Sequence, residues 1–204
     1  MQVIIPFKPI NPKSRLSSVL TVKEREKFAI LMLQDVIDVI KSCNINPLVL
    51  SSDYFELKGL KVIVERGDLN KVLNSMIKKQ SCCIVMSDLP LLSKKIFKRF
   101  ISKKKDVVIA PGRRGGTNML LVRNKNFKVS YYDGSFFKHL KIAKELGISV
   151  QVFDSFFASI DIDLAEDLIE LLLHGKGKKS ARYLRELGFW IEFKKDLPIL
   201  RRFH

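Results

Sequence analysis

Cysteine is scarce in this chain, and its spacing is wrong for either of its usual structural uses. The three thiols, Cys43, Cys82 and Cys83, are odd in number and contain no Cys-x-x-Cys pair. That fits neither a disulfide framework nor a thiolate zinc site, and it points to a reducing cytoplasm. Long apolar runs are missing too. None approaches the roughly 18 residues of a bilayer-spanning helix, and "VII" at 3–5 is far shorter than the apolar core of about 7–15 residues in a signal peptide. Neither a membrane partner nor export is expected. Acidic residues are in deficit, 21 Asp plus Glu against 37 Lys plus Arg, for a formal net charge of +16. Such an excess suits a polyanionic partner, or else a lysine-rich solvated surface. Much of it sits in "KKIFKRFISKKK" and "HGKGKKS", which read as exposed helix faces and ends. No aromatic RNP-like motif is present to stack RNA bases. Internal repeats, low-complexity segments and linkers are absent, so residues 1–204 are read as one domain with no nucleic-acid partner.

What the chain does have is core-forming material: 47% hydrophobic and 28% charged residues over 204 positions, the balance of a folded protein. Short apolar runs at 2–5, 47–51, 61–65, 82–87, 106–110, 118–123 and 149–154 are rich in Val, Ile and Leu. Several are continuously apolar, as strands covered on both faces are. "CCIVM" fits among them, with Cys packing as a small hydrophobe. Between the runs lie helical patterns at 22–42, 69–80, 91–103, 135–147, 164–174 and 179–187. In the first, Phe28, Leu31, Met32, Val36, Val39 and Ile40 recur every three or four residues and make one apolar stripe. Alternating β and α units predict a three-layer α/β/α fold around a mostly parallel mixed sheet. The tail "GFWIEFKKDLPILRRF" is apolar enough for a homodimer contact or for a cover over the core.

In such sheets ligands bind at the carboxyl ends of the strands, and four polar clusters fall there. The first is "PFKPINPKSR". A nucleoside triphosphate brings about four negative charges, which converging cations offset. Lys8, Lys13 and Arg15 suit that task, Ser14 adds a hydroxyl, and Pro6, Pro9 and Pro12 restrict the loop. A solvated basic turn is the plainer reading. The second, "SDLP", puts Asp88 directly after an apolar strand, where it suits Mg²⁺ or caps a helix beginning near Leu91. The third, "DID", places Asp161 and Asp163 on one side of an extended segment. With Asp88 they form a candidate Mg²⁺ site, although Asp163 also fits as the cap of a helix starting at Leu164. The fourth, "PGRRGGTN", combines close backbone approach at Gly115 and Gly116 with the bidentate donors Arg113 and Arg114 and the neutral donors Thr117 and Asn118. "YYDGSFFKH" adds Gly134 and Ser135 at a helix start, a natural anion site. His139 reads as a packed or solvated helix residue rather than a base. Asp68 and Asn70 follow another strand and stand either to reach a base or ribose or to cap the next helix.

Taken in order, "IPFKPINPKSRLS", "SDLPLL", "IAPGRRGGTNMLLVR", "DGSF.KH" and "DID.AEDLIELLLHGKGKKS" resemble the archaeal 2-phospho-L-lactate guanylyltransferases over about residues 1–190. The resemblance implies a GT-A-like, nucleotide-diphospho-sugar transferase-type fold and a role in making the deazaflavin coenzyme F-420. It implies GTP and a phosphorylated three-carbon acid as partners, Mg²⁺ as cofactor and pyrophosphate as a product. By matching motif, Lys8, Lys13, Ser14 and Arg15 would hold the triphosphate, with Lys13 and Arg15 meeting charge on the leaving pyrophosphate. Asp88, Asp161 and Asp163 would hold Mg²⁺. Thr117, Asn118, Gly134 and Ser135 would hold the acid, with Arg113 and Arg114 nearby. A proline-lysine loop stands where related nucleotidyltransferases often carry a glycine-rich one. Left open are transfer to a sugar phosphate or pterin, a basic RNA-binding module, and the choice among 2-phospholactate, phosphoenolpyruvate and 3-phosphoglycerate.

Overall fold

In the computed structural model, which describes residues 1–194 and 197–203, the first apolar run forms β1 (Gln2–Phe7) inside a seven-stranded sheet. Side chains alternate across a strand, so Val3, Ile5 and Phe7 pack on one face and Ile4 on the other. The remaining strands are β2 (Leu48–Ser51), β3 (Lys61–Val64), β4 (Cys82–Val85), β5 (Val107–Pro111), β6 (Thr117–Val122) and β7 (Val150–Val152). Their order is β3-β2-β1-β4-β6-β5-β7. All pairings are parallel except those of β6, which runs antiparallel to both β4 and β5. All seven expected strands form, and the sheet is the mostly parallel mixed one anticipated.

Helices cover both faces. α1 (Val22–Lys41) and α3 (Lys94–Ile101) bury Leu33, Val36, Ile40, Phe97 and Phe100 against the Val3 face. α2 (Leu69–Lys79) and α4 (Ser135–Glu145) bury Leu73, Ile77 and Ala143 against the Ile4 face. Thr21 starts α1 with a reciprocal capping box to Glu24, worth about 1 kcal/mol. Two expected boundaries shift. α3 begins at Lys94 under a Ser93 cap, so Asp88 does not cap it. The helix expected from Leu164 begins as α6 (Asp167–His174), so Asp163 does not cap it.

The pattern reading missed α5 (Phe156–Ser159), a single turn too short to show a period. It also missed β8 (Phe189–Lys194) and β9 (Leu197–Arg202), a separate antiparallel hairpin. Of the two roles expected for this tail, the hairpin base takes the cover: Phe189 is buried in a third cluster with Leu16, Phe28, Leu168 and Leu184 of α7 (Lys179–Glu186). Arg202 ties the hairpin back by an ion pair with Glu24 and a bond to the Val19 carbonyl. Its outer end leaves Phe193 and Leu197 exposed.

β1 is followed in space by β2 on one side and β4 on the other, so the chain order reverses between β1 and β4. Loops leaving adjacent strands toward opposite sides open a crevice at such a switch point. The loops after β1 and β4 therefore face each other.

Candidate active site

Lys13 is the hub of that crevice. It adopts a left-handed backbone, φ 52°, ahead of a short 3-10 turn at Ser14–Leu16. Buried Leu16 anchors the turn, and the Arg25 guanidinium, itself buried, donates to the Pro12 carbonyl at 2.8 Å. So held, the Lys13 ammonium donates to Asp88 Oδ2 at 2.5 Å and to Asp163 Oδ1 at 2.7 Å. Arg15 reaches Asp163 Oδ2 at 3.4 Å. Burial acts to lower the Lys13 pKa, but the two carboxylates outweigh it and hold the value above the ordinary lysine range. Burial acts to raise Asp163, and Lys13 followed by Arg15 outweighs it, so that carboxyl sits below its usual range.

Among the described residues Asp161 has no such cationic partner. Burial first, then the charge of Asp88, pushes its pKa up. The Oδ1 atom of Asp88 is buried without a hydrogen-bond partner among the described residues. Among the described residues no three His, Cys, Asp or Glu side chains stand ready-made as metal ligands, and the Lys13 ammonium is the cation shared by Asp88 and Asp163. The donor set nevertheless fits a divalent cation. It is all oxygen, it carries one carboxylate strained by like charge and another with an orphaned buried oxygen, and hard cations prefer such ligands.

Asp167 explains how the "DID" segment is held. Fully buried at the start of α6, its Oδ2 accepts the backbone N–H groups of Asp163 at 2.8 Å and Leu164 at 2.7 Å. Its Oδ1 is paired with Arg113, and Arg114 lies at 3.6 Å. Arg113, expected near the acid substrate, is thus a structural partner of Asp167. The sequence held one sign of this: Asp167 is four residues from Leu171, on the apolar stripe of its helix, where an exposed carboxylate would not be placed.

Thr117 and Asn118 part company. They are neighbours on β6, so they face opposite sides of the sheet. Asn118 donates to the Ala158 carbonyl at 3.0 Å and lies 3.4 Å from Asp161, which places it beside the carboxylates. A side chain on Gly112 would collide with the Asn118 amide, which is why the tight loop needs glycine there. Thr117 meets Ser135 at 3.2 Å and His139 at 3.0 Å under α4. Gly134, in a left-handed conformation, φ 67°, opens that helix. The expected acid group is brought together as Thr117, Gly134 and Ser135, without Asn118.

A cavity of about 500 Å³ runs from Asp88 and Asp163 across the loop after β1 to the ends of β2 and β3. Lys8, Lys13, Ser14 and Arg15 line its inner half; Ser51, Ser52, Glu65 and Gly67 line the outer half. Those outer four were not found from sequence. Asp68 and Asn70, expected either to reach the base or ribose or to cap the next helix, do not line it. Asp68 caps α2 through the Lys71 N–H at 2.9 Å, and buried Asn70 accepts the Tyr131 N–H at 2.6 Å.

Among the described residues no helix is long and apolar enough to cross a membrane. A family model described as "Guanylyl transferase CofC like" matches residues 1–202. The chain is 51% identical over 203 residues to a 2-phospho-L-lactate guanylyltransferase of Ferroglobus placidus, covering 99% of this chain and 100% of the relative. It is 49% identical over 202 residues to the protein of that name from Archaeoglobus fulgidus, covering 99% and 98%. Among solved structures, a candidate nucleotide-diphospho-sugar transferase from Desulfovibrio desulfuricans superposes with a TM-score of 0.71 at 14% identity, covering 91% of this chain and 95% of that one. At that identity the likeness is one of fold.

Proposed function

The chain belongs to the CofC-like guanylyl transferase family, and from that premise we propose how its own residues join the GMP part of GTP to 2-phospho-L-lactate, a step in making the deazaflavin coenzyme F-420. The observation that carries the assignment of roles is the convergence of Lys13, Asp88 and Asp163, from three distant stretches of chain, at the inner end of the cavity.

The triphosphate lies along the loop after β1, with Lys8, Ser14 and Arg15 on its oxygens and Lys13 at the α- and β-phosphates. The base lies outward, toward the ends of β2 and β3. There Glu65 is the carboxylate among the outer lining side chains. Guanine presents two adjacent donors, its ring N1–H and its exocyclic amine, and a carboxylate accepts both; adenine presents an acceptor at N1. Glu65 is therefore assigned the reading of guanine.

The acid sits across the crevice, its phosphate toward Asp88 and its carboxylate toward Thr117, Ser135 and the start of α4. A phosphate oxygen of the acid forms a bond to the α-phosphorus of GTP while the bond from that phosphorus to the bridging oxygen breaks. Pyrophosphate leaves with the electron pair. The attacking oxygen is already anionic, so no general base is required; positioning and charge neutralisation supply the rate. Lys13 and Arg15 meet the charge that grows on the departing pyrophosphate. Asp88, Asp161 and Asp163 would hold a divalent cation, Mg²⁺, which when bound supplies Lewis-acid neutralisation of phosphate oxygens. For that cation to use Asp88 and Asp163 together, the Lys13 ammonium has to turn toward the nucleotide.

The test is pyrophosphate release from each of four nucleoside triphosphates with 2-phospholactate, phosphoenolpyruvate and 3-phosphoglycerate, run with the wild type and Asp88→Asn. The expected result is turnover with GTP and 2-phospholactate, and its loss by at least about a hundredfold in Asp88→Asn. Near-normal turnover in that variant would sink the assignment of Asp88.

A further inference from the structure

His139 is completely buried, yet both its ring nitrogens are engaged. The backbone N–H of Ser130 donates to Nε2 at 2.9 Å. A backbone amide has only a proton to give, so Nε2 must offer its lone pair. In a neutral imidazole the proton then resides on Nδ1, which lies 3.0 Å from Thr117 Oγ1. Burial keeps the ring neutral, with its pKa pushed down to about 4. Phe127 and Tyr131 pack against the ring at 5.9 and 5.2 Å between centroids, and among the described residues its nitrogens are bonded to Thr117 and Ser130, not to a charged group.

The consequence falls on Thr117. Its oxygen accepts the His139 Nδ1–H, and it accepts the Ser135 hydroxyl at 3.2 Å. A hydroxyl has two lone pairs and one proton. With both lone pairs occupied, the Thr117 hydroxyl is left only as a donor, and among the described residues no acceptor receives it. It stands beside Gly134 and Ser135, where the N–H groups of the first turn of α4, an eleven-residue helix, also lack helical partners.

We propose that His139 is a positioning residue that fixes the Thr117 hydroxyl as a hydrogen-bond donor toward the carboxylate of the acid substrate. The inference rests on the placement of that carboxylate at Thr117 and Ser135. It makes the subsite selective for an anion: a ligand group that must itself donate finds no free lone pair on Thr117. His139 touches neither substrate nor reacting atoms and acts through its tautomer alone.

The test separates the relay from the subsite. KM for 2-phospholactate and for GTP is measured in Thr117→Ala, His139→Gln and His139→Asn, with melting curves for each. Nitrogen-15 NMR of the wild-type imidazole reads the tautomer without any substitution. Gln can restore the acceptor at the Nε2 position but no donor to Thr117; Asn places an N–H donor near the Nδ1 position. Thr117→Ala and His139→Gln are expected to raise the acid KM by about tenfold or more, the loss of one hydrogen bond to a charged group, with GTP KM unchanged. His139→Asn is expected to stay within about threefold of wild type, and the proton is expected on Nδ1. An unchanged acid KM in Thr117→Ala overturns the subsite. A raised value there with a wild-type value in His139→Gln overturns the relay alone. Equal losses for both substrates in both histidine variants mark a packing role and overturn it too. A proton on Nε2 overturns it even if no histidine variant folds.

Discussion

Lys13 and Asp163 lie 150 positions apart in the chain and meet at 2.7 Å, with Asp88 on the other side of the same ammonium. One lysine thus bridges two carboxylates of the site. The raised Lys13 pKa means that its contribution is present below the unfolded lysine value, about 10.4, and is lost as pH rises through the folded one. The lowered Asp163 pKa means that its share is present above the unfolded carboxylate value, about 3.9, and is lost as pH falls through the folded one. Between those limits the bridge is intact.

Lys13→Ala should lower stability at pH 7 by roughly 2 kcal/mol, less than a fully buried pair because Asp163 remains 30% exposed. Added Mg²⁺ should raise the melting temperature of this variant more than that of the wild type, since no ammonium then competes for the two carboxylates. Melting curves with and without Mg²⁺ decide; an equal Mg²⁺ effect in both proteins counts against a shared position.

Asp161→Asn should have the opposite sign on stability. Burial and the neighbouring Asp88 raise its pKa, so ionised Asp161 costs stability above its folded pKa, and the cost disappears as pH falls below the unfolded value of about 3.9. Relief on the order of 1 kcal/mol would raise the melting temperature at pH 7 by about 2–4 °C in a chain of this size. Activity should fall at least about tenfold. A variant that melts lower and stays active would show that Asp161 is a structural group.

Asp167→Asn keeps one oxygen for the Asp163 and Leu164 N–H groups but leaves Arg113 without its anion. A loss of about 2–3 kcal/mol is expected in denaturant midpoint experiments. Turnover should fall with it, because the segment bearing Asp161 and Asp163 loosens. Double substitution of Arg113 and Asp167 by neutral residues should cost less than the sum of the singles. Strict additivity would show that the two do not work as a pair.

Glu65→Gln should erode the choice of base and leave the acid untouched. Wild type is expected to prefer GTP over ITP, which lacks the exocyclic amine, and over ATP. In the variant both preferences should shrink by about tenfold, the worth of one charged hydrogen bond, with the KM for 2-phospholactate unchanged. Ratios that stay at wild-type values place guanine recognition elsewhere in the cavity.

The sequence by itself determined the layers and most of the chemistry. Continuous Val, Ile and Leu runs are strands covered on both faces, and apolar residues at spacings of three and four are helices lying on them; all seven sheet strands follow from local pattern alone. Asp88 was legible for a related reason: a polar residue just after a buried strand has only the sheet edge to occupy. Lys13 and Asp163 were legible from the polar loops that follow β1 and β7. Tertiary structure decided which of those residues meet. No local signal says that Arg113 turns to Asp167 rather than to a substrate, that Asn70 is used up on the Tyr131 N–H, or that Glu65 lines the cavity. Thr117 lies one residue before the strand expected at 118–123, so its place opposite Asn118 across β6 came only with the structure. His139 shows the limit most plainly. Its helix position suggests a packed or solvated residue rather than a base, while burial on the inner face of α4 and one backbone N–H decide between those two and set its charge and tautomer. Those are properties of what surrounds the ring in space, and only the packed sheet and helices supply them.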